Sequence, residues 1–216
     1  MYQFVEDKDF VKRAYAFSAD LVNQLKMALK QEGILVTAQI TGSKRKNLIT
    51  QNTRNGAIDF DFNLIVHDPG DIGFDDAKGL KNEIRLTFND VLRSHDYSDC
   101  HDSTSVLTTG TFWINNDSYR RSFSIDVAII CQNEDGNYER LIYDKRTNRY
   151  IWNEAKDSSE VFEKFDEIKR DQLFDELADC YLDKKNYYLT RNDYNHPSFV
   201  CFVEAVNEVY QQNFYD

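Results

Sequence analysis

Two aspartates one residue apart, Asp59 and Asp61, stand in the run Ile58-Asp59-Phe60-Asp61-Phe62-Asn63-Leu64. Strict alternation is the period of a β-strand. The run therefore predicts Ile58, Phe60, Phe62 and Leu64 on one face and both carboxylates on the other, about 6–7 Å apart. Like charges held that close repel, and the strand offers neither a basic partner. A divalent cation between them resolves the conflict, since Mg²⁺ takes hard oxygen ligands and is often held by one or two carboxylates plus substrate phosphates. A third carboxylate, Asp126, interrupts the apolar run Phe123-Ser124-Ile125-Asp126-Val127-Ala128-Ile129-Ile130 in the same manner. Three acids on neighbouring strands can bind two metals about 3.5–4 Å apart, one activating an attacking oxygen and one steadying a leaving phosphate. Solvation alone would also explain aspartates on an exposed strand face, so their surroundings decide.

Gly42-Ser43 closes a predicted strand, Ile34–Ile40, and opens a polar stretch, Lys44 to Gly56, that begins Lys44-Arg45-Lys46. A glycine there lets the backbone turn and present N–H groups to an anion, and Ser43 can donate its hydroxyl to a phosphate oxygen. An ordinary turn with an N-capping serine fits equally well in isolation. The phosphate loop G-x-x-x-x-G-K-[ST] and the dinucleotide fingerprint G-x-G-x-x-G are both missing. The Gly-Ser turn, the Asp-x-Asp strand and the later single-Asp strand carry more as a set than any one of them does.

The elements that must position these residues follow from periodicity. Phe10, Ala14, Phe17, Leu21, Leu25 and Ala28 recur at helical steps over residues 8–32, with Gly33 where a C-terminal cap belongs. A second stripe, Ala77, Leu80, Ile84, Phe88 and Val91, marks a helix over 75–93. Residues 105–114 and 121–131 read as an antiparallel pair joined across Asn115-Asn116-Asp117-Ser118, with shorter strands near 138–143 and 149–152. Helices follow at about 158–172, 173–189 and from Pro197 to about 213, Pro197 suiting a first helical position. The expected fold is α/β (α+β): a mixed-sheet lobe over 1–157 and a small helical lobe over 158–216.

Composition narrows the function classes. With 41% hydrophobic and 14% aromatic residues, the chain can build a core. A formal charge of -11 argues against extended nucleic-acid binding, which needs a basic surface. No apolar run approaches the ~20 residues that span a bilayer, so no membrane role is expected. The N-terminal residues MYQFVEDKDF lack a basic, then apolar, leader, and the four cysteines have no CxxC spacing, which together suit a cytoplasmic protein.

In these three motifs, T-G-S-K (41–44), I-D-F-D-F (58–62) and S-I-D-V-A (124–128), the chain resembles the DNA polymerase β-like nucleotidyltransferases. It looks most like the branch of the oligoadenylate synthetases and bacterial cyclic-oligonucleotide synthases. The resemblance implies Asp59, Asp61 and Asp126 as catalytic metal ligands for Mg²⁺ or Mn²⁺, and Gly42 and Ser43 as nucleotide-binding residues. It extends to the tail. Leu177 to Lys185 resembles a helix whose lysine, Lys185, contacts the donor triphosphate, and His196 to Glu204 resembles a Pro-x-aromatic helix start that places Ser198 and Phe199 at phosphates and base. The loop between Ser43 and Asp59 departs from the branch in lacking its small, Gly-rich character.

The implied activity is transfer of a nucleoside monophosphate from a nucleoside triphosphate, ATP or another, to a hydroxyl acceptor with release of pyrophosphate. The acceptor is left open. The alternatives are a non-catalytic nucleotide-sensing or antitoxin-like module on the same fold, and a toxin-type transferase acting on RNA or protein. Cys100, His101 and His95 invite a zinc reading, but no fourth ligand lies within sequence reach. Among the tail aromatics, Phe199 and Tyr188 are the candidates for stacking on a base.

Overall fold

The computed structural model describes residues 1–53, 56–114, 121–155, 158–191, 193 and 196–215. Their elements in chain order are β1 (Tyr2–Phe4), α1 (Lys8–Gln31), β2 (Leu35–Ile40), α2 (Gly42–Lys46), β3 (Thr50–Asn52), β4 (Ile58–Asp68), a 3-10 turn (Gly70–Ile72) and α3 (Ala77–Arg93). Then follow β5 (His101–Asp102), β6 (Leu107–Thr108), β7 (Phe112–Trp113), β8 (Ser122–Gln132), β9 (Tyr138–Asp144), β10 (Arg149–Glu154), α4 (Ser159–Arg170), α5 (Phe174–Leu189) and α6 (Ser198–Phe214). They fall into two compact units, residues 6–49 with 55–155, and residues 1–5 with 50–54 and 156–216. α4, α5 and α6 therefore share their unit with β1 and β3, short strands whose three residues each carry no readable period.

The larger unit is a mixed sheet in the order β10-β9-β8-β4-β2, with β6 and β7 also on β8 and β5 on β6. β4 and β8 run parallel, and β2 is antiparallel to β4. Their alternation works as read. Ile58, Phe60, Phe62 and Leu64 face Phe123, Ile125, Val127 and Ile129 in register, all of them buried. α1 brings Phe10, Ala14, Leu21, Val22, Leu25 and Leu29 into this core, and α3 brings Leu80, Ile84, Phe88 and Leu92. Phe17, Phe60 and Phe112 surround Phe123 with ring centroids 5.2–6.0 Å apart, within the range of favourable edge and offset contacts. α1 starts where Asp7 accepts the Phe10 N–H at 2.9 Å. It ends at Gly33, whose φ of 82° lets Ile34 donate back to the Leu29 carbonyl at 2.9 Å.

Two expectations are corrected here. β4 does not stop at Leu64 but continues to Asp68, because β2 pairs with it up to that residue. Residues 105–114 are not one strand but two short ones, β6 and β7, both antiparallel to β8. The break lies at Thr109, whose hydroxyl accepts the Ile125 N–H at 3.0 Å and so takes the place of a ladder carbonyl. The turn at Asn115 to Ser118 lies outside the described residues, as does Tyr194.

The smaller unit packs α4, α5 and α6 around Phe165, Ile168, Leu177, Tyr181, Phe202, Ala205, Val206 and Val209. β1 pairs antiparallel with β3. Asn186 of α5 secures that ribbon by accepting the Tyr2 N–H at 2.6 Å and donating to its carbonyl at 3.0 Å. No helix among the described residues is long and apolar enough to cross a membrane.

Candidate active site

The strand register sets the site. Asp61 is the direct partner of Asp126 across the parallel β4–β8 pair, and Asp59 is the partner of Ser124. Side chains of paired residues share a face, so all three carboxylates rise from one side of the sheet, opposite the aromatic core. Ser124 donates its hydroxyl to Asp59 Oδ1. Thr108 of β6 donates to Asp126 Oδ1 at 2.6 Å.

Asp61 lies beneath the Gly-Ser turn. The Thr41 N–H donates to the Asp61 carbonyl at 2.8 Å, which ties the end of β2 to β4. Gly42 follows with φ 60°, and a Cβ on it would stand 1.8 Å from Asp61 Oδ2. Glycine is thus required twice, for the left-handed backbone and for the room the carboxylate takes. Ser43 and Lys44 sit in the single turn of α2 above it, with the Lys44 ammonium 5.1 Å from the Tyr15 ring centre.

Electrostatics single out Asp61. Burial first, then the charges of Asp126 and Asp59, push its carboxyl up from 3.8 to about 6, against the opposing pull of Lys46 and Arg140. Burial also raises Asp126, with the Thr108 hydrogen bond working the other way and Asp59 adding to the rise. This is an excess of negative charge on a partly desolvated face. Hard carboxylate oxygens in register and an electrostatic excess of this sign suit a divalent cation. The three are aligned rather than gathered: no three His, Cys, Asp or Glu side chains among the described residues converge on one point. Asp59 and Asp126 point to their hydroxyl partners.

Several residues on this face were not read from the sequence. Arg140 of β9 is the partner of Ile130, which continues the Asp126 face of β8. Burial lowers the affinity of its guanidinium for its proton, and the Asp61 charge raises it. Asn63, two residues beyond Asp61, has a buried Oδ1 with no partner among the described residues, at a cost of about 1–3 kcal/mol. Ser124 could have been found, since it lies two residues before Asp126 on the same strand. Lys46 was visible as a cation beside the turn, whereas Thr108 and Arg140 gave no such signal, because only strand pairing and the burial of charge identify them.

In the helical unit, Lys185 is only 7% exposed. Its ammonium donates to Thr50 Oγ1 at 2.6 Å and to the Tyr181 hydroxyl at 3.4 Å, and stands 4.7 Å from the Tyr2 ring centre. Lys184 pairs instead with Glu208 at 2.6 Å and Glu204 at 3.9 Å. Ser198 opens α6 after Pro197, and Phe199 beside it is 46% exposed. Tyr188 already stacks on a ring, His196, with centroids 3.9 Å apart.

A mixed sheet carrying in-register Asp59, Asp61 and Asp126 under a Gly-Ser turn is the frame of a nucleotidyltransferase fold. The solved structures agree on that fold. The STING-associated CdnE c-di-GMP synthase from Capnocytophaga granulosa matches 95% of this chain with a TM-score of 0.58 at 18% identity. CdnC from E. coli, solved with ATP, matches 96% with a TM-score of 0.58 at 14% identity. A CdnE cyclic dinucleotide synthase from Elizabethkingia meningoseptica, solved with GTP and Apcpp, matches 91% with a TM-score of 0.54 at 15% identity. This chain spans 62%, 60% and 70% of those proteins, less than two thirds of the first two. No family model matches the sequence, and no curated protein does. The fold is that of the bacterial cyclic-oligonucleotide synthases.

Proposed function

We propose that the chain is a metal-dependent nucleotidyltransferase, moving a nucleoside monophosphate from a nucleoside triphosphate to a hydroxyl acceptor. The observation that carries this reading is the register of Asp61 with Asp126, two positions from Asp59, under a glycine whose Cβ would meet the Asp61 carboxylate. Asp59, Asp61 and Asp126 would hold Mg²⁺ or Mn²⁺, which supplies charge neutralisation at the transferring phosphoryl group and acidifies the attacking hydroxyl. Gly42 and Ser43 would take the triphosphate, the serine hydroxyl donating to a phosphate oxygen. The acceptor oxygen attacks the α-phosphorus, the bond from that phosphorus to the bridging oxygen breaks, and pyrophosphate leaves. The acceptor proton would pass to Asp126, which lies on the same face as Asp59 and Asp61.

The sheet has two flanks on this face, which we assign to the two proposed substrates. The Gly42-Ser43 turn borders β4 on its β2 side, whereas Arg140 belongs to β9, beyond β8. If the triphosphate takes the first flank, Arg140 faces the acceptor. Lys185, Ser198 and Phe199 are proposed as triphosphate and base contacts on the strength of the family resemblance. Pre-placed cations and donors of this kind supply most of the catalysis in phosphoryl-type transfer.

Melting the protein with each of the four nucleoside triphosphates, with and without Mg²⁺ or Mn²⁺, tests the reading. At 100 times the dissociation constant a bound ligand adds about 2.7 kcal/mol. At least one nucleotide should stabilise the protein only when metal is present, and Asp61→Asn should lose that effect. No stabilisation by any metal–nucleotide pair would reject the proposal.

A further inference from the structure

Asp126 comes with a device for fixing its orientation, built from the segment that sequence periodicity alone reads as a plain strand. β6 pairs with β8 so that Leu107 opposes Val127 and Thr108 opposes Asp126. The next residue, Thr109, is buried and takes up both backbone groups of Ile125: its N–H donates to the Ile125 carbonyl at 3.0 Å, and its hydroxyl accepts the Ile125 N–H at 3.0 Å. The same hydroxyl donates a hydrogen bond to the Gly110 carbonyl at 2.9 Å. The residue before Asp126 is therefore held by both the side chain and the backbone of Thr109, and the residue after it pairs with buried Leu107. This leaves Thr108 one short reach from the carboxylate, 2.6 Å to Oδ1.

We propose that Thr108 is a positioning residue for Asp126, holding Oδ1 so that Oδ2 is presented to a divalent cation, and that Thr109 is the clamp that keeps Thr108 in register. The inference rests on the metal-dependent reading above. Its physical basis is general: ligating carboxylates are themselves hydrogen-bonded, and losing the outer partner typically lowers metal affinity about 10–100-fold. Ser124 plays the corresponding part for Asp59, but from the same strand as Asp126 and at an exposed hydrogen bond. A threonine that merely satisfied its own hydroxyl would have no effect on a metal.

The test is a Mn²⁺ titration of the full chain with a non-hydrolysable analogue of each nucleoside triphosphate in turn, followed by the electron paramagnetic resonance signal of free Mn²⁺ and read against the same analogue without protein. Thr108→Val keeps the shape and removes the hydroxyl. It should bind Mn²⁺ about tenfold more weakly, and Thr108→Ser, which restores the hydroxyl, should bind within about twofold of the parent. Thr108→Val added to Asp126→Asn should cost nothing beyond Asp126→Asn alone, because the hydroxyl acts through that carboxylate. If the valine variant does not fold, Thr108→Ala carries the same expectation. Unchanged or tighter Mn²⁺ binding in the valine or alanine variant, with binding still lost in Asp126→Asn, overturns the inference and leaves the proposed function standing. Absence of any Mn²⁺ uptake by the parent protein overturns both.

Discussion

Asp61, half-buried, and Lys185, buried, are both charged side chains held within compact units, and their surroundings are opposite in kind. Asp61 is held against a glycine, with two more carboxylates on its face and only the weaker pull of Lys46 and Arg140 to offset them. Lys185 is flanked by two tyrosine rings and donates to a threonine hydroxyl. The first environment is worse for its charge than water is. The second replaces water with aromatic faces and a hydrogen bond. A fold keeps an uncompensated buried charge where something other than stability requires it, so the sheet unit carries the stronger functional signal. The lysine is open to either a structural or a binding role.

The largest effect that separates them comes from Asp61→Asn. It should reduce transfer by more than the roughly 100-fold typical of losing an outer-shell partner, and it should stabilise the metal-free protein. The stability gain depends on pH. The folded carboxyl holds its proton up to about pH 6, the unfolded one only to about 3.8. Between those values the folded state binds more protons, so stability falls as pH rises through that window and stays lower above it. A shift of about two units corresponds to roughly 2–3 kcal/mol. Melting at pH 8 should therefore favour the asparagine variant, and melting near pH 4 should not. A lower melting temperature at pH 8 would mean the aspartate is structural.

Gly42→Ala comes next. The left-handed backbone alone costs about 1–2 kcal/mol, and the new Cβ must also displace the Asp61 carboxylate. Misplacing a reacting group by about 1 Å can cost on the order of 100-fold in rate. Turnover should fall by that order, with a smaller proportional loss of stability. Turnover at the parent rate would show that Asp61 does not need its present place.

The three aspartates and Gly42 were legible because each interrupts or ends a regular pattern. A charge in an alternating apolar strand, or a glycine at a strand end, is visible at a spacing of two to four residues. The β4–β8 core was legible for the same reason. What joins distant segments was not. Thr108 meets Asp126 through strand pairing, Arg140 reaches the face from another strand, and β1 joins the helices through Asn186. In residues 105–114 strand-forming residue types run on through Thr109, although its hydroxyl has replaced a ladder carbonyl and divided the strand. Periodicity registers which way side chains point, and not what they bond to.

Lys185→Met sharpens the comparison from the other side. Methionine keeps most of the packing and removes the ammonium. As a triphosphate contact, Lys185 predicts an apparent constant for the nucleotide about tenfold higher, the loss of one charge-assisted bond of roughly 1.5–3 kcal/mol being partly offset by water. A fall in melting temperature with an unchanged constant would assign the lysine to the fold alone. The smallest effect belongs to Lys184→Ala. Its partner Glu208 is half exposed, and pairs of that kind contribute about 0–1 kcal/mol. Neither the nucleotide constant nor turnover should move, and a tenfold change in either would mean that the two lysines had been assigned the wrong way round.

The central claim, that the carboxylate face transfers a nucleotide, is tested most directly by incubating the protein with each α-labelled nucleoside triphosphate and Mg²⁺ or Mn²⁺, then separating the products. The account predicts label in a new product together with pyrophosphate from at least one nucleotide, and neither from the Asp61→Asn protein. Metal-dependent nucleotide binding with no labelled product under any condition would contradict it, and would leave a nucleotide-sensing module on the same fold.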